Sequence, residues 1–168
     1  MAGENGTESA QAPRKFEPKN MKYHFLGRTG LKVSALSFGT WVTVGGQLGK
    51  DVTKQCILEA WNHGVNYFDT AEAYASGECE KVFGKALRDL SFQRSDLVIS
   101  TKLFWGGPGP NDTGLSKKHL FEGMRTSLER LGLDYVDIVM AHRPDPLTPI
   151  EEVVRAFTQI VNEGKALY

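Results

Sequence analysis

The chain has 168 residues, a formal net charge of zero and 40% hydrophobic residues, enough for one sizeable core. A neutral balance argues against general binding to nucleic acid or to an acidic membrane surface. No apolar run is long enough to cross a bilayer, the N-terminus lacks the basic-then-apolar signal pattern, and Ala2 breaks the myristoylation motif.

Residues 1–20 are polar, with two prolines, and predict a disordered tail. Arg14, Lys15 and the Lys117-Lys118 pair read as ordinary solvated charges. Lys22 to Leu26 and Lys32 to Leu36 flank Gly27-Arg28-Thr29-Gly30 and predict a short hairpin. Leu36 to Gly39 is a strand candidate. Asp51 to His63 reads as a helix with Ile57, Ala60 and Trp61 on one face and Gly64 as its stop. Val65 to Asp69 is a strand, and Glu78 to Arg88 a helix with Val82, Phe83, Ala86 and Leu87 inward. Leu97 to Thr101 is the next strand. Ser116 caps a helix whose Leu120, Met124, Leu128 and Leu131 form one stripe. Val136 to Ala141 is a strand. Thr148-Pro149-Ile150-Glu151 has the form of a capping box, opening a helix that Gly164 ends, and Ala166-Leu167-Tyr168 begins a fifth strand. The two cysteines, Cys56 and Cys79, share no metal-ligating or CxxC spacing, so reduced thiols and no metal centre are expected.

Strands alternating with helices imply a parallel sheet. Two architectures fit, a doubly wound sheet and a (β/α)8 TIM barrel. Gly39-Thr40-Trp41 has no GxGxxG spacing, which favours the barrel. A barrel takes about 250 residues. The expectation is therefore the first four βα units of a barrel, preceded by a hairpin and cut off at strand five, with residues 21–168 forming the half barrel.

Ligands sit at the carboxyl ends of such strands. There the sequence places Asp69, Lys102 and His142, each closing an apolar strand, with Tyr74 in the loop after the first. Singly, each is more often a turn, solvated or structural residue than a catalyst. Together they compose a site. A phenol is a weak acid, with an ordinary pKa of about 10. A lysine ammonium beside it favours the phenolate, and an aspartate keeps that lysine in place. A histidine can bond the same substrate oxygen. Such a set can protonate a carbonyl oxygen while a hydride arrives at the carbon, and a hydride requires a nicotinamide cofactor.

At these residues the sequence resembles the aldo-keto reductases. Gly64 to Tyr74, continued by Gly77-Glu78 and Gly84 to Leu87, is similar to one family signature, and Ser127 to Asp137 to another. Within the family the chain is closest in appearance to the voltage-gated potassium channel β subunits, through Phe38 to Thr43, Gly45-Gly46-Gln47, Thr101 to Gly107 and Arg143-Pro144-Asp145-Pro146. The resemblance implies Tyr74 as general acid, Lys102 as the partner that eases its ionisation, Asp69 as the anchor of Lys102, and His142 as the fourth catalytic member. It implies contacts to NADP(H) from Thr40, Trp41, Gln47, Asp69 and His142. Trp41 and Trp105 are expected to wall a carbonyl-substrate pocket. Two departures matter. The channel subunits carry asparagine at the position of His142, whereas catalytic members carry histidine. Many catalytic members carry tryptophan where this chain has Arg143. The implied function is NADPH-dependent reduction of aldehydes or ketones in the cytoplasm. The rival is an NADP(H)-binding regulatory subunit, tetrameric and docked on a channel's cytoplasmic domain. The family's phosphate-binding positions follow strand five, so the 168 residues alone are expected to bind cofactor poorly and, with open strand edges, to self-associate.

Overall fold

The structure, a computed structural model, describes residues 14–41, 44–46 and 49–168. Strands β1 (Tyr23–Phe25) and β2 (Lys32–Ser34) form the expected antiparallel hairpin. It closes the amino ends of the following strands. The Tyr23 hydroxyl donates to Gly64 O at 2.6 Å, and the Ser34 amide donates to Asn66 Oδ1 at 2.7 Å.

Four parallel strands then alternate with helices: β3 (Phe38–Gly39), α1 (Lys50–Asn62), β4 (Tyr67–Asp69), α2 (Glu78–Leu90), β5 (Val98–Leu103), α3 (Lys117–Leu131), β6 (Ile138–Ala141) and α4 (Ile150–Asn162). Their order in the sheet is β3-β4-β5-β6. Gly39 pairs with Asp69, Asp69 with Ser100, and Leu103 with Ala141. This register sets the carboxyl ends side by side. Residues 165–168 run parallel along β6, with Val136 donating to Lys165 O and Tyr168 donating to Asp137 O.

The helices cover the sheet with the stripes their spacing predicts. Leu120, Met124, Leu128 and Leu131 of α3 are buried, as are Ile57 and Trp61 of α1. Each such side chain contributes at most about 1.5–3 kcal/mol on burial. Helices α2 and α3 approach closely at Gly84, where a Cβ would stand 2.1 Å from Leu131 O.

Three expectations are corrected. Within the predicted tail, residues 14–20 belong to the body, while residues 1–13 lie outside the described residues. The Arg14 amide donates to Ser91 O and its Nε to Leu90 O, satisfying carbonyls at the end of α2. Phe16 packs edge-on against Trp61 with centroids 4.6 Å apart. An aromatic side chain with a pocket to fill outweighs the polarity of its neighbours. The capping box does not form. Thr148 Oγ1 donates instead to Asp145 Oδ2 at 2.7 Å, and α4 starts after Pro149 with no side-chain cap. The Thr148 hydroxyl first, then the Leu115 and Leu147 amides, hold the Asp145 carboxyl below the usual range. Finally, Val82 is only half-buried. The inward residue one turn from Phe83 is Glu80, fully buried.

Candidate active site

Strand β4 ends on Asp69 and β5 carries Lys102, and the two ends are adjacent in the sheet. Lys102 Nζ donates to Asp69 Oδ2 at 2.6 Å, to Thr70 O at 2.9 Å and to the Tyr74 hydroxyl oxygen at 2.9 Å. The ammonium therefore has its three donors committed. Ser100 Oγ donates to Asp69 Oδ1 at 2.6 Å and fixes the carboxylate's other oxygen. Side-chain exposures of 15% for Lys102 and 23% for Asp69 place the pair in a partly desolvated mouth, where charge-assisted bonds are stronger than in water.

Tyr74 opens a short 3-10 turn, Tyr74–Gly77. Ala75 and Ser76 there have φ of +48° and +53°. Non-glycine residues in this region cost about 1–3 kcal/mol each, and such outliers collect at functional sites. The turn leads directly into α2, and the phenol is left projecting toward Lys102.

His142 follows β6, its amide donating to Leu103 O at 3.0 Å. Its ring meets the Tyr74 ring edge-on, with centroids 5.7 Å apart. Burial first, and then the Lys102 ammonium, push its pKa below the ordinary value. Its Nδ1 is buried without a partner among the described residues. Trp41 lies on another side of Tyr74, stacked at 6.2 Å and 69% exposed. Thr40 continues β3, its amide donating to Asp69 O, and its Oγ1 also lacks a partner among the described residues.

The structure thus brings together Asp69, Tyr74, Lys102, His142, Trp41 and Thr40. Trp105 stands beside them through its neighbours. Its ring meets Phe104 at 4.4 Å, and the guanidinium of Arg143, next to His142, lies 5.4 Å from its centroid. Gln47 lies outside the described residues. An aromatic face, unpaired polar atoms and a proton-bearing phenol suit the reactive end of a nicotinamide cofactor and its substrate.

A second group was missed in the sequence: Glu72, Glu80, His119 and Arg130. Glu72 is buried, its Oε1 accepting from the Phe104 amide and lying 3.0 Å from His119 Nε2. Glu80 accepts from Thr101 Oγ1 at 2.8 Å and pairs with Arg130 at 3.3 Å. Burial pushes the Glu80 carboxyl up, against the pull of the Thr101 bond. The available signal was a carboxylate one residue past Cys79 on the apolar face of α2, where a charge needs a partner.

The profile of the Aldo/keto reductase family matches residues 35–168. The chain belongs to this family. It is 56% identical over 163 residues to a voltage-gated potassium channel subunit beta of Schizosaccharomyces pombe, covering 95% of this chain and 47% of the relative. It is 56% identical over 148 residues to one of Arabidopsis thaliana, covering 88% and 45%. Against a crystal structure of a thermostable aldo-keto reductase with the inhibitor epalrestat, the TM-score is 0.77 at 34% identity, covering 88% of this chain and 52% of that one. The chain spans about half the length of the curated relatives it matches. Among the described residues no helix is long and apolar enough to cross a membrane.

Proposed function

We propose that these 168 residues are the catalytic half of an NADPH-dependent aldehyde or ketone reductase of the aldo/keto reductase family, a (β/α)8 barrel when extended to the length of its relatives. The observation that carries the reading is the Asp69–Lys102–Tyr74 chain of hydrogen bonds, 2.6 and 2.9 Å long, at adjacent strand ends. Tyr74 gives its phenolic proton to the carbonyl oxygen as that oxygen gains charge. Lys102 donates to the phenolate oxygen left behind, and Asp69 holds Lys102 in place as charge moves. His142, kept neutral by burial and by Lys102, offers a ring nitrogen to the same carbonyl oxygen and orients it. The Trp41 ring stacks on one side of the phenol and offers an apolar face there. A reduced nicotinamide, when bound, supplies the hydride to the carbonyl carbon. The product is an alcohol, and Tyr74 regains its proton from solvent. Thr40, Trp41, Gln47, Asp69 and His142 are the cofactor contacts in this reading, and Trp41 and Trp105 the substrate walls.

A second reading is favoured by the relatives, which are named as potassium channel β subunits. In it the chain is part of a cytoplasmic, oligomeric regulatory protein that binds NADP(H) and turns over little. NADPH oxidation with 4-nitrobenzaldehyde, by a chain extended at its C-terminus to the relatives' length, separates the two. Turnover supports the reductase. Tight NADPH binding with no turnover for any carbonyl offered sinks it in favour of the regulatory subunit.

A further inference from the structure

Arg130 lies on α3, away from the strand ends, yet it touches three points around the Tyr74–Lys102 contact. Its Nη1 donates to Glu72 O at 3.0 Å, two residues before Tyr74. Its guanidinium packs against Gly77, three residues after Tyr74, so closely that a Cβ there would stand 2.4 Å from Arg130 Cζ. It pairs with Glu80 Oε2 at 3.3 Å, while Glu80 Oε1 accepts from Thr101 Oγ1 at 2.8 Å, one residue before Lys102. The segment it spans is the left-handed turn through Ala75 and Ser76. A turn with two such residues persists only where its surroundings over-determine it. Glu72 reinforces the clamp, since its carboxylate accepts from the Phe104 amide and its amide donates to Lys102 O.

We infer that Arg130 is a positioning residue. It holds the Ala71-to-Gly77 turn from both sides and ties it to the end of β5, so that the Tyr74 hydroxyl stays within hydrogen-bond reach of Lys102. The inference rests on Tyr74 being the proton donor, but its structural half does not depend on turnover. Arginine suits the task because Nη1 alone serves both the carbonyl and the carboxylate, which leaves the planar guanidinium to pack on Gly77. Lysine lacks the planar group that packs on Gly77.

The test uses the 168-residue chain labelled with 13C at its five tyrosines, with Tyr74 assigned from Tyr74→Phe. In Arg130→Met the Tyr74 ring signals should shift and broaden, and their Overhauser contact with the Lys102 side chain should be lost. Signals of the other four tyrosines should hold. Arg130→Lys should recover the contact only in part. On the extended chain the same variants should lower kcat while KM for the carbonyl holds. Unchanged Tyr74 signals in a folded Arg130→Met chain would overturn the inference. If that variant fails to fold, Arg130→Lys decides it, and wild-type Tyr74 signals in that variant overturn it. An Arg130-dependent Tyr74 signal with no turnover in any extended chain would sink the reductase reading and leave the positioning role standing.

Discussion

The two ends of the parallel sheet treat polar groups differently. At the amino ends they lock the fold. Asp137 Oδ2 accepts from Arg94 Nη2 at 2.7 Å and from the Ile99 amide at 2.8 Å, and Asn66 bonds the hairpin through Ser34. Arg94 also donates to the carbonyls of Leu97 and Tyr135 and lies over the Tyr135 ring at 4.0 Å. Its Nε has no partner among the described residues. At the carboxyl ends, Thr40 Oγ1, Thr70 Oγ1 and His142 Nδ1 are buried and without a partner among the described residues. Polar groups are tied into the fold at one end and left open at the other, the division expected of parallel α/β folds whose ligand sites lie at the carboxyl ends. The lesson is that a buried charge has no fixed meaning. Asp69 and Asp137 are both ion-paired carboxylates of the same sheet, and only their strand ends distinguish their tasks.

The comparison breaks most sharply through Tyr74. In the extended chain, Tyr74→Phe removes the proposed proton donor and should lower carbonyl reduction about 10²–10⁴-fold. Its effect on Tm should be small, because the variant gives up one part-buried hydrogen bond, worth about 1 kcal/mol. Stopped-flow or steady-state NADPH oxidation beside a thermal melt checks both halves. A large loss of Tm with a mild loss of rate would reverse the assignment of the two ends.

Asp137→Ala is the mirror experiment. It leaves the Ile99 amide and the Arg94 guanidinium without their acceptor. The expected cost is about 3 kcal/mol, or roughly 10 °C in Tm for a chain of this size. Activity per folded molecule of the extended chain should stay near wild type. Denaturant titration gives the first number. A chain as stable as wild type would show that the amino-end lock is dispensable.

How much of this was legible in the sequence follows the same division. The βα alternation, the strand ends and the set Asp69, Tyr74, Lys102 and His142 were readable, because each closes or follows a short apolar run bounded by turn residues. The four then meet as the parallel register dictates. Periodicity could not show that Arg130, seven helical residues past Gly123 on α3, reaches back to Glu72 and Gly77. That contact depends on how closely α2 and α3 pack at Gly84. Nor could a propensity rule choose between Thr148 as a helix cap and Thr148 as a donor to Asp145. A carboxylate already organising the Leu115 and Leu147 amides won that competition. Phe16 failed for a related reason: composition averages over a segment, while one aromatic ring against Trp61 suffices to anchor it.

The smallest effect is a pH dependence, and it probes the mouth without requiring turnover. The pKa of His142 lies below its ordinary value of about 6.5, because burial disfavours the imidazolium and Lys102 repels it. The folded chain therefore binds the His142 proton less readily than the unfolded chain. The associated stability is present above the ordinary value and is lost as pH falls through the folded pKa. His142→Asn, which replaces the titrating ring by a neutral amide, removes this dependence. The other three histidines, His24, His63 and His119, are common to both chains and cancel in the difference. The Tm of wild type minus that of His142→Asn should thus fall as pH is lowered from 7.5 toward 5. A difference that stays flat would mean that His142 titrates as it does in an unfolded chain. The carboxyl-end mouth would then lack the desolvation that sets it apart from any solvated loop.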